Sequence, residues 1–116
     1  MAETEEKIDV PENLPEPGFY YHFKHDSNGP VNVMAYEVLG VQFHTERESL
    51  EVSYRPVYRE AMSYVNGLLG GYSRPLDMFM ETVEKPEYSG PRFIKITDSE
   101  VIAQLRTIRD EMYPQS

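Results

Sequence analysis

The side chains able to do chemistry in this 116-residue sequence are three histidines, nine tyrosines, a scatter of arginines and many carboxylates, with no cysteine. His22 and His25 stand in an HxxH spacing, and His44 follows later. On a strand running into a turn the first two point to different faces, and zinc needs three or four ligands with a supporting shell. Solvated or hydrogen-bonded histidines are the expectation, and no metal site is assigned. Without a thiol there is no cysteine nucleophile, disulfide or thiolate zinc site. No G-x-S-x-G elbow surrounds Ser53 or Ser63, and no Walker A, GxGxxG or EF-hand pattern occurs. No catalytic residue and no cofactor are therefore assigned.

Glu46, Glu48 and Glu51 read as a solvated acidic surface, but Glu37 lies between Tyr36 and Val38 in an otherwise apolar run. A lone charge there is costly, so a partner is expected from Arg55, Arg74 or Arg92, whose guanidinium forks match a carboxylate. The binding hypothesis is that Tyr20, His22, Glu37, Tyr54, Arg55, Tyr58, Arg74 and Arg92 converge on one concave face. That face would take a planar or anionic, nucleotide-like small ligand by stacking and bidentate donation. The competing reading makes the same residues an internal network that holds strand ends together. A second function class is a protein-interaction module with an aromatic groove for a peptide. A third is a small hydrolase-type enzyme using His22 or His44 as base.

Charge narrows the partners. The net charge is −9, and residues 1–17 hold six acids (Glu3, Glu5, Glu6, Asp9, Glu12, Glu16) against Lys7, which leaves −4 for the rest. A body of that sign repels a phosphate backbone, so nucleic acid is disfavoured unless the arginines cluster in space. No apolar run approaches the ~20 residues that span a bilayer, and the acidic start is unlike a secretory signal. A soluble, cytoplasmic protein, monomeric or weakly dimeric, is expected, with a small molecule or a protein as partner.

The elements that must position these residues follow from periodicity. Residues 1–17, with three prolines, read as a flexible acidic leader. From Gly18 the pattern alternates with period two: Phe19, Tyr21 and Phe23 would face a core, with Tyr20, His22 and Lys24 on an amphipathic side. "HDSNGP" at 25–30 reads as a turn between antiparallel strands. Residues 31–43 read as a long strand bent at Gly40, 45–48 as a turn, and 49–58 as a strand whose second half Pro56 confines to an edge or an end. Residues 59–71 fit a short helix or an irregular loop equally. Residues 72–83 read as a strand with Leu76, Met78 and Met80 on one side, 85–91 as a turn and 92–96 as a short strand. In 97–116 the period becomes helical, with Val101, Leu105, Ile108 and Met112 on one face, a Thr97/Glu100 capping box and Pro114 beyond the end. That helix is expected to pack on its own barrel. The fold class is mainly β: about five strands in a small, strongly bent barrel over 18–96, followed by a C-terminal amphipathic helix.

Five blocks in order, "GFYYHFK", "YEVLGVQFHTE", "VSYRPVY", "RPLDMF" and "PRF", resemble a small, mainly bacterial family known as domain of unknown function 1653. The resemblance covers about residues 18–96 and implies an SH3-like β-barrel without an assigned activity. The positions that match are Gly18, Tyr20, His22, Phe23 and Lys24; Tyr36, Glu37 and Val38; His44; Tyr54, Arg55 and Tyr58; Arg74, Pro75 and Phe79; and Arg92 and Phe93. The chain departs from the family pattern in a longer first hairpin at 25–33 and an added C-terminal helix. It also departs at Tyr72-Ser73, where the family carries a Trp before the Arg-Pro block.

Overall fold

The structure is a computed structural model and describes residues 10–61 and 71–114. In chain order the described elements are β1 (Gly18–His22), β2 (Ala35–His44), β3 (Ser49–Pro56), β4 (Tyr72–Pro75), the single-turn α1 (Leu76–Phe79), β5 (Thr82–Lys85), β6 (Tyr88–Pro91), β7 (Phe93–Lys95) and α2 (Ser99–Met112). Five strands form one sheet in the order β4-β3-β2-β1-β7, curled into a half-barrel, while β5 and β6 pair separately. Every pairing is antiparallel. This is the mainly β class with a C-terminal helix that the sequence implies.

The curl begins in β2, the longest strand. Its register with β3 slips between Val38 and Gly40, leaving Leu39 as an extra residue at the position where Gly40 predicts a bend. A bulge of this kind bends the strand and raises its twist, which lets a sheet wrap on itself. The hairpin to β3 closes over 45–48, with Glu48 at φ +53. At the start of β1, Gly18 takes φ +142, a backbone state that a side chain would strain.

Strand β1 separates two cores. Tyr20 packs inward with Val38, Val52, Tyr54, Phe79 and Phe93. Phe19, one residue earlier, packs outward with Ala35, Val57, Ile96 and Leu105 of α2. Alternation alone predicts a core side (Phe19, Tyr21, Phe23) and an amphipathic side; instead both Phe19 and Tyr20 are buried, because α2 covers the outer face. The helix does so with the predicted stripe: Leu105 and Met112 are buried, Val101 and Ile108 half-buried. Full burial of Leu105 alone contributes about 2 kcal/mol.

Several local expectations are corrected. Residues 72–83 are not one strand: β4 ends at Pro75, α1 turns the chain, and β5 starts at Thr82. Leu76 and Phe79, three apart, are the buried pair of that turn, while Met78 and Met80 are exposed. Strand β2 starts at Ala35 rather than Val31, since 31–34 form turns. The cap of α2 is Asp98, whose carboxylate accepts from the Glu100 and Val101 amides at 2.9 and 3.2 Å, in place of the Thr97/Glu100 box. Of the segment 59–71, Arg59–Ala61 form one helical turn, and 62–70 lie outside the described residues, as do 1–9 of the leader. Leader residue Leu14 packs against the inner core, and the Tyr20 hydroxyl donates to the Glu16 carbonyl at 2.9 Å. Among the described residues no helix is long and apolar enough to cross a membrane.

Candidate functional site

A pocket of about 420 Å³ opens at one end of the concave face. Each strand of the half-barrel supplies a wall: His22 from β1, Tyr36 from β2, Tyr54 from β3, Arg74 from β4 and Phe93 from β7. Strand alternation dictates this grouping. Tyr36 shares its face with Val38 two residues on, and Tyr54 stands opposite Val38 across the ladder, so the rings project to the same side. Lys24, Met34, Tyr58, Ala61 and Tyr72 complete the rim.

The floor is a web of rings. Phe93 stacks flat on Phe79 with centroids 4.2 Å apart, and Tyr36 and Tyr54 meet it edge-on at 5.8 and 5.7 Å. The Tyr36 and Tyr58 hydroxyls share a 2.7 Å hydrogen bond, and the Tyr58 hydroxyl also lies 3.6 Å from Met34 Sδ. Burial, reinforced by Tyr58, pushes the Tyr36 phenol well above the ordinary tyrosine range and keeps it neutral. Met34 reaches its place with φ +66, a left-handed conformation that costs a non-glycine residue about 1 kcal/mol.

Two groups give the pocket its polarity. Arg74 donates from Nε to the Tyr54 hydroxyl at 3.2 Å, and its guanidinium carbon lies 5.6 Å from the Phe93 ring centre. Among the described residues no carboxylate forms an ion pair with it. A guanidinium fork presents planar donors that match a carboxylate or phosphate. His22 is held down to about 4, first by burial and then by the charges of Arg92, Lys24 and Arg74. Its Nδ1 accepts from the Lys24 amide at 3.2 Å, which places the proton of the neutral ring on Nε2. At neutral pH the pocket therefore offers a neutral imidazole donor beside unpaired cations.

Of the eight residues singled out from the sequence, His22, Tyr54, Tyr58 and Arg74 line this pocket. The other four lie elsewhere. Tyr20 is buried in the inner core and edges a second, uncharged cleft of about 180 Å³ with Leu14, Pro15, Phe79, Met80 and Pro91. Glu37 and Arg55 face outward beneath α2: Glu37 Oε1 accepts from Arg55 Nε at 2.9 Å and Oε2 from Arg109 Nη1 at 2.7 Å. The expected arginine partner is thus present, joined by a second from the terminal helix. Arg92 pairs with Glu81 at 3.1 Å and flanks the pocket, close enough to act on His22. Lys24, Met34, Tyr36, Tyr72 and Phe93 were not among the eight. Alternation from Val38 could have found Tyr36; nothing in the sequence announces the backbone of Met34. Glu51 is a further correction, since it is 2% exposed rather than solvated and accepts from the Ser73 and Ser49 hydroxyls at 2.8 and 3.2 Å. Those bonds, that of Ser73 foremost, hold its carboxyl below the usual range. Among the described residues no three His, Asp or Glu side chains gather as a metal site.

Fold and pocket together define a small, curled antiparallel β half-barrel domain with a helix across its back. The chain belongs to the family described as protein of unknown function (DUF1653), whose sequence profile matches residues 18–95. It is similar to a crystal structure of a DUF1653 protein from Bordetella bronchiseptica, at 27% identity over 70% of this chain and 86% of that chain, with a TM-score of 0.53. No curated protein matches the chain.

Proposed function

We propose that the pocket at the end of the half-barrel binds a small, planar, anionic ligand of nucleotide-like chemistry, and that binding rather than catalysis is its role. The observation that carries this is Arg74, a guanidinium without an ion-paired carboxylate among the described residues, set into a wall of Tyr and Phe rings. Ring faces stack on planar groups, and a free guanidinium fork accepts a carboxylate or phosphate in two parallel bonds. A pocket volume of about 420 Å³ falls within the range used for small ligands. The hydrolase reading gains no support at His22, whose charged neighbours are cations rather than an orienting acid.

The test is a thermal-shift screen of the wild type and Arg74→Lys against nucleotides, nucleosides and organic acids at fixed salt. A specific ligand at about 100 times its Kd adds about 2.7 kcal/mol to stability, a rise of several degrees. Loss of that shift in Arg74→Lys, which keeps the charge but not the fork, supports the reading. A flat screen with both proteins folded rejects it. The uncharged cleft beside Leu14 would then be the place to look for a peptide partner.

A further inference from the structure

The rings of the pocket do not stop at its rim. From Phe93 the row continues to His22 at 5.3 Å, to Phe23 at 4.6 Å and to Tyr88 at 5.2 Å, the last pair stacked within 20° of parallel. Around the half-exposed Phe23 stand three cations: the Lys24 and Lys85 ammonium groups at 6.0 and 5.9 Å from the ring centre and the Arg92 guanidinium at 6.0 Å. Lys24 also lines the pocket, so platform and pocket form one surface. Arg92 is ion-paired to Glu81, whereas Lys24, Lys85 and Arg74 have no carboxylate within ion-pair distance among the described residues. Arg92 Nε is shielded from solvent and makes no hydrogen bond among the described residues. A net charge of −9 opposes a polyanion only on average; here the cations gather.

We infer that this surface holds a single strand of nucleic acid, with one nucleotide seated in the pocket and the adjoining one stacked on Phe23, its phosphate between Lys24, Lys85 and Arg92. This rests on the pocket reading above and names its ligand as part of a strand. Alternating rings and unpaired cations are what a single strand needs, since bases stack on aromatic faces while the backbone follows positive charge. An acidic peptide would use the charges but leave the rings idle.

Fluorescence anisotropy at about 50 mM salt separates the possibilities, with labelled hexathymidylate as probe and thymidine monophosphate and an oligoglutamate peptide as competitors. The hexamer is expected to bind roughly tenfold or more tighter than the mononucleotide, with log affinity falling against log salt at a slope of about −1.4 for two neutralised phosphates, one at Arg74 and one among Lys24, Lys85 and Arg92. Lys85→Gln, a change at an exposed side chain, should shrink the ratio of hexamer to mononucleotide affinity and reduce the slope by about 0.7. Mononucleotide binding without a gain for the hexamer overturns this inference and leaves the pocket reading standing. Binding of neither overturns both. Oligoglutamate competing as strongly as the hexamer overturns the assignment to nucleic acid.

Discussion

The two faces of one sheet treat arginine in opposite ways. On the outer face, Arg55 gives two nitrogens to Glu37 at 2.9 Å, lies 4.1 Å from the centre of the Tyr113 ring, and shares its carboxylate with Arg109 of α2. On the inner face, Arg74 meets a tyrosine hydroxyl and a phenylalanine ring, and no described carboxylate. Asp110, which accepts from Arg109 Nε at 2.9 Å, supplies the second carboxylate, so the outer cluster has its charges matched, as a buried ionic group must if it is not to destabilise the fold. The inner one leaves a cation and a neutral imidazole open toward a cavity. Similar residue types thus build a clasp on one side and a candidate receptor on the other, and what separates them is which face receives the helix.

The comparison breaks most decisively at Glu37. Its side chain is 12% exposed and serves two arginines that are each 23% exposed. Glu37→Ala leaves the half-buried Arg55 without its counter-ion, against Arg109, which keeps only the exposed Asp110 at 2.9 Å. The expected cost is about 3 kcal/mol, read as a fall in Tm of roughly 10 °C. A change below about 1 kcal/mol would mean that the outer face is as open as the inner one.

This division also marks what the sequence could reveal. The bend at Gly40, the end of β3 at Pro56 and the stripe of α2 were legible, because each depends on neighbours within a few residues. So was the gathering of His22, Tyr54, Tyr58 and Arg74 around one pocket. The sorting of Glu37 and Arg55 to the back was not, since the second partner of Glu37, Arg109, lies 72 residues after it and becomes visible only once α2 is laid across the sheet. The same cover explains why both sides of β1 are buried. At 72–83 the alternation misled for a different reason. A single helical turn buries residues three apart, so Leu76 and Phe79 face one core although a strand would separate them.

The pocket face should also declare itself in acid. The His22 ring titrates at about 4 in the folded chain against about 6.5 when unfolded, with burial the first cause and Arg92, Lys24 and Arg74 following. Between those values the unfolded chain binds more protons, so stability is full above about 6.5 and falls as pH drops toward 4. For a half-exposed ring, screened by solvent, the loss is about 1 to 2 kcal/mol. Glu16 and Glu51, whose carboxyls are held below their ordinary 4.5, add their own loss only under that value. Chemical denaturation across pH 7 to about 4.5 should therefore show a slope that His22→Gln flattens. An unchanged slope in the variant would place the ring in ordinary solvent and remove the electropositive character claimed for the pocket.

The smallest stability effect is expected at Arg74, and that smallness is the point. Arg74→Met keeps most of the stem that covers Phe93 while giving up one hydrogen bond, to the Tyr54 hydroxyl, and one weak contact with a ring. Those losses sum to about 1 kcal/mol, and at neutral pH the uncharged His22 ring adds nothing to them. Denaturant midpoints should place Arg74→Met within about 1 kcal/mol of the wild type, well short of Glu37→Ala. A residue whose removal scarcely touches the fold is not there to hold strand ends together. If Arg74→Met instead costs as much as Glu37→Ala, the inner face is a second clasp, and the internal network becomes the better account of all these rings.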